Sequence, residues 1–122
     1  MIHSNELRIG NYLEYYIPTD DLGWQQTTQA DWQDIRLCQE QNESFNLENR
    51  PIPLTEEWLM KFGFNSKFSG YRKVNLRLVN FLETETIYHV FFKNSLIKTI
   101  QYVHELQNVY FALTNTELTL TL

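Results

Sequence analysis

A single cysteine, Cys38, stands in 122 residues. One thiol cannot form an intramolecular disulfide, so the fold is not expected to depend on an oxidising compartment. Within a polar helical stretch and beside Leu37, Cys38 reads as a buried structural thiol. Glycine is scarce, at four residues, and neither a GxGxxG pattern nor a phosphate loop occurs. The three histidines, His3, His89 and His104, form no HxH or HxxxH pair, and Cys38 has no CxxC partner. No metal site and no cofactor are therefore expected. No apolar run approaches the roughly 18–20 residues that span a bilayer. The first ten residues carry no apolar segment of signal-peptide length. These absences predict a cytoplasmic protein without a membrane partner.

Positive charge is also short. Lys and Arg number 10 against 15 Asp and Glu, for a net charge of -5. An acidic chain is poorly suited to duplex DNA, where phosphate contacts dominate affinity. The charge is uneven, however. Residues 1–61 hold 11 acids and 4 bases, while residues 62–122 hold 4 acids and 6 bases. Residues 14–57 alone carry 10 acids against 2 bases. That density invites comparison with acidic mimics of nucleic acid, but apolar residues interrupt it too often for a regular charge array.

Aromatic residues are what the chain has in surplus: eight Phe, seven Tyr and three Trp, or 15%. Rings bury much area per residue and can stabilise a small core. With 43% hydrophobic residues, 122 residues are enough for one core and one domain spanning 1–122.

The hydropathy pattern predicts an α+β domain. Leu7, Ile9, Leu13, Tyr15 and Ile17 alternate as a strand, with a bend at Gly10-Asn11. Residues 18–23 read as a turn and 24–27 as a return strand. Thr28 with Asp31 resembles a capping box, which predicts a helix over 29–39. Residues 39–49 read as a loop, with Phe45 and Leu47 pinning it down or forming a small strand. Pro51 and Pro53 hold the chain extended. Thr55 then caps a helix that Glu56 and Glu57 favour through its dipole and that Gly63 ends. Beyond residue 73 come strands over 73–81, 87–92 and 96–100, with turns at 83–86 and 93–95. Val103, Leu106, Tyr110 and Leu113 recur at helical spacing, so 102–114 is a helix stopped by Asn115. Leu118, Leu120 and Leu122 predict a terminal strand. The sum is an antiparallel sheet, able to curl into a barrel, with two or three short helices.

Three segments together, residues 5–11, 51–64 and 102–114, resemble a family of small uncharacterised proteins encoded by Bacteroidota, their phages and their mobile elements. The resemblance covers about a third of the chain. It implies a bacterial or phage origin and an accessory role, such as binding a host protein or blocking a defence system. It carries no catalytic residue, since none is established for that family.

Carboxylate pairs such as Asp31 with Asp34 and Glu56 with Glu57 have local explanations in helix starts, so general acid–base work is not expected. The leading expectation is a non-enzymatic protein-interaction module. Tyr12, Tyr16 and Trp24, on the less buried face of the first hairpin, are its candidate contacts. The terminal Leu/Thr strand offers an edge for a homodimer. The alternative is a binder of a nucleotide or single-stranded nucleic acid. It would use the stretch 64–73, read as a loop, with Lys67, Arg72 and Lys73 for phosphate and Tyr71 for stacking.

Overall fold

In the computed structural model, which describes residues 1–16, 26–67, 70–81 and 86–121, the chain gathers into two units, Met1–Ile52 and Pro53–Leu122. Each has its own antiparallel sheet.

The first unit is held together from its first residues. Ile2 is fully buried. Its N–H donates to Asn46 Oδ1 at 2.7 Å, and its carbonyl accepts from Asn42 Nδ2 and Asn46 Nδ2, each at 3.0 Å. Two asparagines one helical turn apart thus satisfy both backbone polar groups of one buried residue, as buried polar backbone requires. A 3₁₀ turn at Ser4–Glu6 follows. Gly10, at φ +93, then turns the chain into β1 (Tyr12–Tyr15). This turn breaks the alternation that the sequence suggested. Leu7 and Leu13 are buried, but Ile9 is 64% exposed.

β1 is the central strand of three. It pairs on one side with β2 (Gln26–Gln29) and on the other with β3 (Asn49–Pro51). Pairing with β1 draws Thr28 and Gln29 into the sheet, so the helix starts later than expected. α1 (Trp32–Glu40) is capped by Asp31, not Thr28. Asp34 N–H donates to Asp31 Oδ1 at 3.0 Å, and Asp31 N–H donates to Asp34 Oδ2 at 2.9 Å. The stretch read as a loop contains a further helix, α2 (Asn42–Glu48), which buries Phe45 and leaves Leu47 at 74% exposure. Ile2, Leu7, Leu13, Ala30, Cys38 and Phe45 form the core here, with Ile35 and Leu37 packed against it.

In the second unit, the 3-residue spacing from Thr55 to Trp58 sets the start of α3 (Glu56–Lys61): Trp58 N–H donates to Thr55 Oγ1 at 3.4 Å. Its other end is fully accounted for. Gly63 at φ +85 lets its own N–H reach Met60 O and the Phe64 N–H reach Leu59 O, both at 3.0 Å. This is the Schellman pattern that glycine makes possible. The remaining carbonyls are met from afar. Thr121 donates its N–H to Lys61 O at 2.6 Å and its hydroxyl to the same oxygen at 2.9 Å. Residues 117–121 are therefore no strand, contrary to the terminal strand expected. Leu118 is buried, and the segment closes the helix instead of offering an edge.

The five-stranded sheet runs in sequence order: β4 (Asn65–Lys67), β5 (Gly70–Lys73), β6 (Leu76–Val79), β7 (Tyr88–Phe92) and β8 (Ser95–Ile100). Leu76, Leu78, Tyr88, Val90 and Ile100 supply its buried face. α4 (Val103–Thr114) follows, with Leu106, Val109 and Tyr110 buried and Asn115 ending it at φ +57. Glu105 Oε1 accepts from the N–H groups of Gln101 and Tyr102 at 3.0 and 3.1 Å, satisfying donors at the helix start. The α+β class is as expected, with four α-helices among the described residues and neither sheet closed into a barrel.

Candidate functional site

The strand register decides what the second sheet shows on its outer face. Asn65, Arg72, Arg77, Phe91 and Leu96 are successive cross-strand partners. Residues paired in this way project to the same side. Val79, His89 and Thr99 form a second row on that face. The Arg77 guanidinium lies 4.7 Å from the centre of the Phe91 ring. Phe81, 63% exposed, lies 4.8 Å from the His89 ring. The five strands contain Lys67, Arg72, Lys73, Arg77 and Lys98 and no Asp or Glu. Charge therefore divides between the units. Met1–Ile52 carries nine acids and three bases, and residues 53–122 carry six acids and seven bases.

β8 is an edge strand with an unusual surface. The turn before it is tight, with Lys93 and Asn94 at φ +51 and +69, and Phe92 pairs with Ser95. Two consecutive positive φ values match the two-residue turns that suit twisted hairpins. The register then slips, since Val90 pairs with Lys98 and Phe91 with Leu96, which leaves Ile97 as the extra residue of a bulge. Five of the six β8 residues are exposed, including Leu96 at 57% and Ile97 at 45%.

The stretch 64–73 is mainly a hairpin, β4 with β5, where a loop was expected. It divides its predicted residues between two faces. Tyr71 packs edge-on against Tyr88, with ring centres 6.4 Å apart. Burial pushes its phenol up, and the nearby Glu56 carboxylate adds to this. Lys73 donates to Phe62 O at 2.6 Å and lies 5.9 Å from the Tyr110 ring. Arg72 is exposed on the outer face. Lys67 has its backbone in β4, while its side chain lies outside the described residues. In the first unit, Tyr12 and Tyr16 are half-buried, and Tyr15 between them is the more exposed. Trp24 and the turn 18–23 lie outside the described residues, as does most of the turn 83–86. Sequence reading missed Arg77, Phe81, His89 and Phe91. Their signal was the outward position in each alternating strand, combined with the missing carboxylates.

The groups with chemical potential are placed structurally. Cys38 is buried, with its Sγ 3.7 Å from Ile2 O and 3.4 Å from Asn42 Nδ2. Burial pushes the thiol up, away from the reactive thiolate. His104 is buried in α4 and stacks on Tyr102 at 6.0 Å. No three His, Cys, Asp or Glu side chains among the described residues are grouped to hold a metal ion. An open groove of about 530 Å³ in the first unit is lined by Met1, Leu47 and Arg50 among others, without an arrangement of catalytic groups. No helix among the described residues is long and apolar enough to cross a membrane. No protein-family model, curated protein or solved structure matches the chain.

Proposed function

We propose that the protein is a non-enzymatic interaction module whose protein partner adds an extended strand beside β8. The observation that carries this reading is the edge itself. Exposed edges present unpaired N–H and C=O groups, and natural edges are usually shortened, charged or covered. β8 has a single charge, Lys98, and two open apolar residues, Leu96 and Ile97. Strand addition would pair the backbone and place alternate side chains against these two residues. A second copy of the chain is one such partner, giving a two-fold β8 pair. The resemblance to phage and mobile-element proteins would make a bacterial host protein, such as a defence component, the other.

The test compares wild type with Ile97→Lys, a change on an exposed bulge that leaves the interior intact. Sedimentation at micromolar concentration and capture from bacterial extract are read for both proteins. The variant is expected to lose dimer or captured partner roughly tenfold, which corresponds to about 1.4 kcal/mol. A wild type that stays monomeric and retains nothing that the variant loses would sink the proposal.

A further inference from the structure

We propose that the open groove of the first unit docks a short protein segment that sets an apolar side chain beside a lysine or arginine. The groove, of about 530 Å³, is lined from α2 by Glu43, Asn46 and Leu47. Their i, i+3, i+4 spacing makes them one stripe of the helix. The edge strand β3 lines it too, and Pro51 and Met1 add apolar wall. Leu47 is 74% exposed and Met1 71%, so these walls are open to a ligand. Phe45, buried on the same helix, fixes which way the stripe faces.

Charge selects the occupant. Most side-chain polar groups at the groove are already engaged. Asn46 is occupied with Ile2, accepting from its N–H and donating to its carbonyl. Asn49 donates to Phe45 O at 3.0 Å. The Arg50 guanidinium is paired with the Glu14 carboxylate. Glu43 differs, because it is exposed and its carboxylate has no hydrogen bond or ion pair among the described residues. α2 also carries Glu48 and no base. A charge on the Met1 amino group would offset one carboxylate, but the first unit holds nine acids against three bases. Its field therefore favours a cation. The apolar walls favour an aliphatic or aromatic side chain next to that cation. An open groove also suits a peptide better than a small molecule. A small ligand needs most of its surface covered, whereas a peptide inserts one side chain and runs on into solvent. The groove belongs to Met1–Ile52 and β8 to the second unit, so this inference stands apart from strand addition.

The experiment pans a displayed library of random peptides of about 12 residues on wild type. Enriched peptides are then labelled and titrated by fluorescence anisotropy against wild type, Leu47→Ala, Glu43→Gln and Ile97→Lys. Thermal melting shows that the variants fold. The enriched peptides are expected to combine leucine, isoleucine or phenylalanine with lysine or arginine. They should bind Leu47→Ala and Glu43→Gln about fivefold more weakly than wild type, a loss of about 1 kcal/mol. They should bind Ile97→Lys as they bind wild type. Added salt should weaken binding to wild type more than to Glu43→Gln. Three results would overturn the proposal. The first is no enrichment above an unrelated protein of the same charge. The second is peptides that bind Leu47→Ala as tightly as wild type, which places them on another surface. The third is enrichment of acidic or uncharged peptides, which would make the groove an apolar contact without charge selection.

Discussion

Lys73 reaches back from the end of β5 to donate its ammonium to the carbonyl of Phe62, 2.6 Å away at the close of α3. A cation at a helix C-terminus is favoured both by the hydrogen bond and by the helix dipole. Lys73→Met keeps the apolar stem and removes the charge. Its unfolding midpoint in urea is expected to fall by the equivalent of about 1–2 kcal/mol. Gly63→Ala should also destabilise, by about 1 kcal/mol or more. Gly63 has φ +85, and a Cβ there would lie 3.1 Å from Lys73 Nζ.

Val74 sits in the turn between β5 and β6 at φ +56, which is unfavourable for a β-branched residue. It is 71% exposed, so little burial is lost on replacing it. Val74→Gly should therefore stabilise the protein by about 0.5–1 kcal/mol, the relieved strain exceeding the added chain entropy. A lower melting temperature would show that the turn is not strained.

α2 offers a contrast within one helix. Phe45 is fully buried, while Leu47, two residues later, is 74% exposed. Phe45→Ala is expected to cost about 3–5 kcal/mol in equilibrium unfolding. Leu47→Ala should change stability by less than about 0.5 kcal/mol. Similar losses at both positions would contradict the placement of α2.

The start of α1 makes stability depend on pH in two opposed ways. The hydrogen bond from Asp34 N–H holds the Asp31 carboxyl below its ordinary range. Burial raises that of Asp34, and the adjacent Asp31 charge adds to the rise. A lowered value gives a contribution present above the unfolded value and lost as pH falls through the folded one. A raised value gives a contribution present at low pH and lost as pH rises through the folded one. Asp31→Asn should therefore cost most near neutral pH and least in acid. The deficit of Asp34→Asn should instead grow as pH falls from neutral through the ordinary carboxylate range. Melting curves of both variants across that range check the two signs.

Local chemistry made part of this fold legible. Thr55, Gly63 and Asn115 each mark a helix end that the backbone uses, because caps act within one turn. The β7–β8 hairpin also followed from alternation and its turn. Errors arose where distant groups decided the outcome. Thr28 looked like a cap until strand pairing claimed it. Residues 42–48 lacked an amphipathic signature, since Phe45 alone is buried there. The terminal leucines alternate as a strand would, yet Thr121 finds its acceptor in Lys61. The same limit applies to the candidate surface. Arg72 was visible as a cation, but its neighbours Arg77, Phe91 and Leu96 come from three further strands and meet only through the register.

Backbone hydrogen exchange in β8 tests the interaction account most directly. It would be measured on the protein alone and on the assembly that wild type forms, whether with a second copy or with a captured protein. Strand addition predicts that amides in residues 95–100 slow markedly in the assembly while those of α1 keep their rates. Unchanged exchange along β8, with protection gained elsewhere, would contradict it.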